Sequence, residues 1–184
     1  SNDVAFGVVV QGDGKIVAAG YANNDGSDDV SVLRLLDDGT IDTSGFNAPD
    51  GFVVTDIYGA GTNNQGRAVA LQADGRILVG GWHIDGGFSD FALLRYLSDG
   101  SLDPNFGTGG EVTTDFAGVN DNSANALAID NDGKPVLAGD AYASSLDSAV
   151  ARYEGGGGSA TDYYVNISTG SDITGDGSAG NPWR

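Results

Sequence analysis

The stretch AVALQADGRILVGG, Ala68–Gly81, decides the fold because it reads as two strands joined by a tight turn. Large apolar residues alternate with small ones before the turn, and a second apolar run follows it. The Asp74-Gly75 dipeptide between the runs is a strong hairpin signal, for which positive φ is expected at both residues. Both faces of such a strand are apolar, which is typical of a strand that is covered on two sides.

The same pattern occurs three times along the chain. The Asp-Gly dipeptide, followed by Lys or Arg, begins at Asp13, Asp74 and Asp132, so the steps are 61 and 58 residues. A Gly follows each of these Asp residues after seven positions, and each copy later has an Arg with an Asp five positions before it. These pairs are Asp29 and Arg34, Asp90 and Arg95, and Asp147 and Arg152. A residue needed in every copy is usually structural, so each Arg is expected to bond carbonyl groups or an Asp of the next unit.

Two further strand-like runs occur within the repeat. The third strand reads DVSVLRLL, DFALLRYL and DSAVARYE in turn, and a fourth reads FVVTDI and EVTTDF. No stretch combines capping residues with a 3.6-residue period, so no long helix is expected. Short strands in a repeat of this length predict an all-β fold of three propeller-like blades of antiparallel strands, with a C-terminal extension. Closed propellers take about four to eight blades, so three blades form an open arc or an incomplete propeller, which favours an open arc, an oligomeric ring or a fragment.

The repeat also resembles a known family. The stretches DGKIVAAG, DGRILVGG and DFALLRYLSDGSLDPNFGTGG are similar to delta-60 repeats, which occur in large secreted and surface proteins of bacteria. The resemblance covers residues 3–154 and implies a propeller-like architecture in an extracellular setting. It implies no reaction, because it carries no catalytic residues over to this chain.

Taking the fourth strand as the start of a unit divides the chain into five segments. Unit 1 spans residues 1–51 and lacks its first strand, unit 2 spans 52–110, and unit 3 spans 111–154. A Gly-rich linker at 155–160 leads to a C-terminal strand or arm at 161–184. The missing strand of unit 1 leaves an unpaired sheet edge, which proteins normally cover or pair.

The arm offers a strand that could pair this edge. Residues Thr161–Thr169 alternate as a strand does, and the candidate assembly residues are Tyr163, Tyr164, Val165 and Ile167. Donation to the first unit of its own chain would close the arc, whereas donation to the next copy would build a filament. The tail YYVNISTGSDITGDGSAGNPWR, Tyr163–Arg184, has an aromatic strand, a Gly-Ser-Asp loop and a final Pro-Trp-Arg. It resembles the opening of right-handed β-helix proteins of the pectate-lyase type, which implies a chain cut from a longer surface protein.

Composition limits the partners. The chain has 184 residues, 26 acidic residues against 8 Lys and Arg, and a formal net charge of −18. Such a surface repels nucleic acid and anionic membranes, so neither is an expected partner. No apolar run is long enough to span a membrane, and the absence of Cys excludes disulfides and thiolate metal sites. The expected partners are copies of the chain itself or the rest of a larger surface protein.

The sequence gives little sign of catalysis or of a ligand. The single histidine, His83, is expected to be a buried structural residue, and no catalytic residue is assigned. Oxygen-rich loops make Ca²⁺ the one candidate cofactor, although neither loop has the EF-hand spacing. Its candidate ligands are Asp25, Asp28, Asp172 and Asp176. The acid surplus is otherwise explained by turns, where Asp is favoured.

These observations predict a non-enzymatic, extracellular structural or adhesive protein. Self-assembly would proceed by head-to-tail donation of Thr161–Thr169 to the first blade of the next copy. The alternative is a carbohydrate-binding accessory module of a larger β-helix polysaccharide-active protein, with Trp82 and Trp183 as candidate glycan contacts.

Overall fold

The computed structural model describes residues 2–24, 26–57, 59, 61–116, 121–142, 146–154 and 163–167. These residues form an all-β structure of three antiparallel sheets, which confirms the predicted fold class. The first sheet, called blade 1, contains β1 Val4–Val10, β2 Ile16–Asn24, β3 Ser27–Leu35 and β4 Phe52–Thr55. Blade 2 contains β5 Asn64–Leu71, β6 Ile77–Asp85, β7 Phe88–Tyr96 and β8 Glu111–Thr114. Blade 3 contains β9 Asn122–Ile129, β10 Pro135–Tyr142, β11 Leu146–Arg152 and β12 Tyr163–Ile167.

Each blade has the same strand order, in which consecutive strands are hydrogen-bonded neighbours. The strands β1, β5 and β9 contact one another in succession and form the inner edge, whereas β4, β8 and β12 lie at the opposite edge. No described residue belongs to a helix, and therefore none of them lies in a helix that could span a membrane.

The pairing of β4 corrects the predicted unit boundaries. Phe52–Thr55 pairs with β3, so it is the last strand of blade 1 rather than the first strand of the next unit. Blade 1 therefore has four strands, and the predicted boundaries at 51/52 and 110/111 cut through the first two sheets. The reason is that the long connector after β3 folds back, which brings the fourth strand beside the third.

The place of the C-terminal strand also differs from the prediction. β12 pairs with β11 of its own chain, with Val165 opposite Val150 and Tyr164 opposite Ala151. It occupies in blade 3 the outer position that β4 and β8 occupy in the other blades. Since β4 fills the outer position of blade 1, that blade has four strands like the other two.

The hairpin turns also differ in detail from the prediction. Among the described residues, Asn47 is the only non-glycine with positive φ, so Asp13 and Asp74 do not take it. Only the glycines do, with φ of 87° at Gly14 and 86° at Gly75. The Gly14 N–H bonds the Gln11 carbonyl, and the Gln11 N–H bonds the Lys15 carbonyl, which defines a type I turn followed by a left-handed glycine.

The recurring glycines of the second strands allow a close approach of two backbones. Each lies where the first strand of its blade has a β-bulge, at Phe6, Arg67 or Asn125. A Cβ atom on Gly81 would lie 1.9 Å from the Gln65 carbonyl oxygen. Gly20 and Gly139 meet Val4 and Ser123 in the same way, at 1.8 and 1.9 Å.

Two apolar cores hold the blades together. The first lies between blades 1 and 2 and includes Val17 and Val32 on one side, and Val79 and Leu94 on the other. The second lies between blades 2 and 3, with Leu78, Phe91, Leu93, Leu137 and Ala151. At its centre Gly80 accommodates Leu137, because a Cβ on Gly80 would lie 2.3 Å from the Leu137 Cδ2 atom. Each blade is therefore apolar on both sides, as the two-sided strands predict.

Replacing Gly81 by Ala should destabilise the protein by about 1–3 kcal/mol or more, because the new Cβ atom meets backbone that cannot move without disturbing the bulge. The matched control is Gly12→Ala, since a Cβ at Gly12 has no neighbour within 4 Å. Urea unfolding followed by circular dichroism measures both. Equal midpoints for the two variants would contradict this account of the recurring glycine.

Candidate functional site

The most elaborate polar arrangement lies where β3 or β7 leads into its connector. The Arg34 Nε donates to Asp42 Oδ2 at 2.9 Å, and its guanidinium lies 4.9 Å from the centre of the Phe46 ring. A second nitrogen, Nη1, donates at 2.6 Å to the carbonyl of Ser98, which belongs to blade 2. Arg34 thus joins its own connector to the neighbouring blade. We call this arrangement the connector clamp.

Burial and hydrogen bonding oppose each other at the clamp carboxylate. Asp42 is 2% exposed. Burial alone would raise its pKa, but the Gly45 N–H and the Arg34 guanidinium outweigh burial, so the pKa lies below its ordinary value. Asp42 therefore stays ionised and fixes Arg34 in place.

Blade 2 repeats the clamp with an additional arginine. Arg95 Nε donates to Asp103 Oδ2 at 3.0 Å, and the guanidinium lies 4.3 Å from the centre of the Phe106 ring. Arg76, from the hairpin, donates to the same oxygen at 2.9 Å and also pairs with Asp74. Asp103 is fully buried, and burial raises its pKa less than the Asn105 N–H and the two arginines lower it.

The arginine of blade 3 has different partners, and the residue eight positions after it in the sequence is Ala160 instead of an Asp. Arg152 pairs with Asp130 at 2.6 Å and with Asp132 at 3.3 Å, both from the β9–β10 hairpin. Its side chain is 35% exposed, against 7% for Arg34. The recurring Arg is therefore held by a carboxylate in all three blades, although the carboxylate comes from different segments.

The recurring Asp residues lie at the other end of the same strands, beside an Asn of the next blade. The Asn64 Nδ2 lies 3.5 Å from Asp29 Oδ1 and 3.3 Å from Asp56 Oδ1. Asn122 Nδ2 repeats the arrangement, at 3.2 Å from Asp90 Oδ1 and 3.5 Å from Asp115 Oδ1. Each amide thus bridges two carboxylates across a blade junction. The backbone of Asp147 pairs with Ala141, and its side chain lies outside the described residues.

Asp90 has the most perturbed carboxyl of these clusters. Burial raises its pKa to about 6, and the nearby carboxylates of Asp115, Asp85 and Asp121 act in the same direction against the Asn122 amide. His83 Nε2 lies 4.0 Å from Asp90 Oδ2, and the imidazole is 1% exposed. Burial lowers the pKa of His83, so it offers little positive charge at neutral pH.

The candidate ligands for Ca²⁺ are not brought together within the described residues. Asp28 accepts hydrogen bonds from Asn23 Nδ2 at 3.2 Å and from Gln65 Nε2 at 2.8 Å, while Asp25, Asp172 and Asp176 lie outside the described part of the chain. Within that part, no group of three or more His, Cys, Asp or Glu side chains could hold a metal ion.

The other predicted contacts are separate from the clamps. Trp82 is partly buried and stands between Gln65 and Phe91 on the adjacent strands, while Trp183 lies outside the described residues. Tyr163, Tyr164, Val165 and Ile167 belong to β12 and pair with β11. Glycan binding by the two tryptophans stays a prediction.

Sequence reasoning missed two sets of contacts. Asp42 and Asp103 each follow the recurring Arg by eight residues, but neither was assigned as its partner. Sequence reasoning also missed a hydroxyl pair across each junction, Tyr96 with Thr55 at 2.8 Å and Tyr153 with Thr114 at 3.1 Å. The recurrence of Tyr beside the Arg was the available signal.

The comparison with known families agrees with this architecture. Residues 11–44 and 72–106 match a family model described as "Domain of unknown function (DUF5122) beta-propeller". The two matches cover β2–β3 and β6–β7 with the parts of the connectors that hold the clamp aspartates. No curated protein matches the chain. Fold and match together define a propeller-like repeat protein, whereas the delta-60 designation and the pectate-lyase-type tail stay predictions.

Asp103→Asn should cost about 3–5 kcal/mol of unfolding free energy, because it removes the charge that compensates a buried guanidinium. The matched control is Asp74→Asn, which affects the same Arg76 but at a side chain that is 51% exposed, where ion pairs contribute less than about 1 kcal/mol. Urea unfolding compares the two. Similar losses in both variants would refute a special role for the buried carboxylate.

Asp90→Asn should stabilise the protein at neutral pH but not in acid. The folded-state pKa lies above the ordinary 3.8, so protonation favours the folded state; this contribution is complete below pH 3.8 and is lost as the pH rises through about 6. Asn resembles the protonated form, so its advantage should grow over that window, to no more than about 3 kcal/mol. Unfolding at pH values from about 4 to 8 tests this, with the exposed Asp50→Asn as control. Parallel profiles for wild type and Asp90→Asn would contradict it.

Proposed function

We propose that this chain is a non-enzymatic structural and adhesive repeat protein that works by stacking its blades and associating with further blades. The supporting observation is that the recurring charged residues are used inside the fold. Arg34 and Arg95 hold the connectors, and their carboxylate partners are almost completely buried. Groups that are fully engaged in this way stabilise a scaffold and are not available to a substrate.

The blade junctions support the same function. Each of the two junctions has an apolar core, a Tyr–Thr hydroxyl pair and an amide that bridges two carboxylates. The contacts repeat with the repeat of the sequence, so a further blade of this type has a defined way to join. A protein built from such joints suits an extended surface structure.

The setting proposed is extracellular, at a bacterial cell surface, and it rests on the resemblance of the repeats. The charge of −18 and the pI of about 4.1 suit a protein that stays soluble outside the cell and avoids nucleic acid and anionic lipid. Copies of the chain, or the rest of a larger surface protein, are the proposed partners.

The route of association proposed here differs from strand donation. A strand donated by the next copy needs an open position at the edge of a sheet, and β4 and β12 fill the outer positions of blades 1 and 3. The faces of the end blades are a better route, since apolar side chains are exposed on blade 1 and partly exposed on blade 3.

The proposed function predicts that the purified chain associates with itself or with a longer form of the same repeat. Light scattering coupled to size-exclusion chromatography, at about 1–200 μM, measures its mass, and electron microscopy shows the shape of any assembly. A mass above that of one chain is expected at the higher concentrations, because exposed apolar sheet faces are normally covered. A monomer of 18.6 kDa throughout would refute association of the chain with itself.

A further inference from the structure

The face of blade 1 that points away from blade 2 is unusually apolar for an exposed surface. Its side chains include Val8 at 66% exposure, Val10 at 65%, Ile41 at 49% and Phe52 at 46%. Their neighbours on the same face are Ala18 and Leu33, which line a shallow groove with Phe52. We call this surface the leading face.

The repeat identifies what the leading face is built to contact. Val8 and Val10 occupy the positions of Val69 and Leu71 in blade 2 and of Leu127 and Ile129 in blade 3. The later pairs pack into the cores against the preceding blade. Ile41 likewise corresponds to Leu102, which packs against blade 1. The leading face is therefore the surface by which a blade of this type joins the blade before it.

Blade 3 offers the complementary surface, which we call the trailing face. Val136, Ala138 and Val150 occupy the register positions of Leu78, Gly80 and Leu93, with which blade 2 receives blade 3. All three are partly exposed. The trailing face is thus the surface by which a blade joins the blade after it.

The sizes of the central residues match across this pair of faces. Between blades 2 and 3 the receiving residue is Gly80 and the inserted residue is Leu137. By register, Ala19 receives Val79 between blades 1 and 2. On the end faces the corresponding residues are Ala138 and Ala18. Where the receiving residue is glycine the inserted side chain is leucine, and where the receiving residue is alanine the inserted side chain is valine or alanine. A junction between the two end faces would therefore avoid a steric clash at its centre.

The hydroxyl pair of the junctions is changed on the leading face. The hydroxyl pairs join Tyr96 to Thr55 and Tyr153 to Thr114 within the chain. Leu35 occupies the position of these tyrosines in blade 1. The leading face therefore has an apolar residue in place of the tyrosine, and it would bury no unpaired tyrosine hydroxyl at this place.

We propose that the leading face of one copy binds the trailing face of a second copy, and that two copies close a six-bladed ring. Two copies of the three blades described here supply six blades, a number within the about four to eight of closed propellers. The two junctions of the ring are then identical, as a closed head-to-tail arrangement requires. This inference rests on the proposed function and names its partner and surface.

The net charge predicts how this association depends on salt. Each copy has a charge of −18, so two copies repel one another, while both faces carry apolar side chains such as Val8, Val10, Val136 and Val150. Salt screens the repulsion and leaves apolar contact intact, so the dimer should become tighter as salt is raised from about 0.05 to 0.5 M.

The first experiment uses sedimentation velocity to measure the mass of the wild-type chain and of two variants. Each variant replaces one exposed phenylalanine by aspartate. Phe52→Asp puts a charge on the leading face, whereas Phe88→Asp puts one on an exposed phenylalanine of the β6–β7 hairpin, away from both faces. We expect a wild-type mass of twice 18.6 kDa, at least about 100-fold weaker association for Phe52→Asp, and no change for Phe88→Asp. Circular dichroism checks that each variant is folded.

A mixing experiment separates head-to-tail contact from contact between two leading faces. Val136→Asp, on the trailing face, should also be monomeric alone, but a mixture with Phe52→Asp retains one intact pair of faces. The mixture should therefore recover a dimer, and Val136→Asp alone should not. A dimer of Val136→Asp alone would overturn the head-to-tail pairing.

The remaining outcomes separate this inference from the proposed function. Assembly that Phe52→Asp does not weaken but that Tyr164→Pro in β12 abolishes would overturn face pairing in favour of strand exchange, and the proposed function would stand. Open filaments of wild type would overturn ring closure alone. A wild-type monomer at all concentrations would overturn both the inference and self-association.

Discussion

Every blade of this protein has two apolar faces, and the rest of the structure depends on covering them. A four-stranded sheet with one solvated face can stand at a surface, but a sheet with two apolar faces must be stacked between others. Blade 2 satisfies this requirement completely, because Val79 and Leu94 are buried on one side and Leu78 and Leu93 on the other. Blades 1 and 3 satisfy it on one side each, and that asymmetry is the basis of the proposed association.

The polar groups serve the same stacking. A glycine at each bulge brings two backbones together, and a buried Arg–Asp pair fixes each connector at the edge of blades 1 and 2. Burying an ion pair is costly unless its hydrogen bonds are complete, so such pairs contribute geometry as much as stability. Asp42 accepts from both Arg34 and the Gly45 N–H, and Arg34 continues to the Ser98 carbonyl of the next blade. The acid surplus of the chain therefore includes buried structural carboxylates as well as turns.

Much of the fold could be predicted because its signals are local and occur in copies. Alternation of residues such as Val69 and Leu71 reports a strand, and Asp-Gly reports a hairpin, whatever the rest of the chain does. The contacts of the candidate site were harder to predict from the sequence than the strands. The partner of Arg34 is Asp42 because the connector turns back over the sheet, and spacing alone does not show which way a connector turns. In blade 3, where no Asp follows the Arg by eight residues, Arg152 uses Asp130 and Asp132 instead.

The sequence by itself determined the repeat, the strands and the presence of apolar residues on both sides of each sheet, since these follow from period-two patterns within short segments. Only the tertiary structure decided which sheet each fourth strand joins. Phe52–Thr55 is closer in sequence to β5 of blade 2 than to β3 of blade 1, yet hydrogen bonding with Val30–Leu33 assigns it to blade 1. The structure also decided which apolar face of each end blade stays exposed, because stacking direction is a relation between sheets that no single strand encodes.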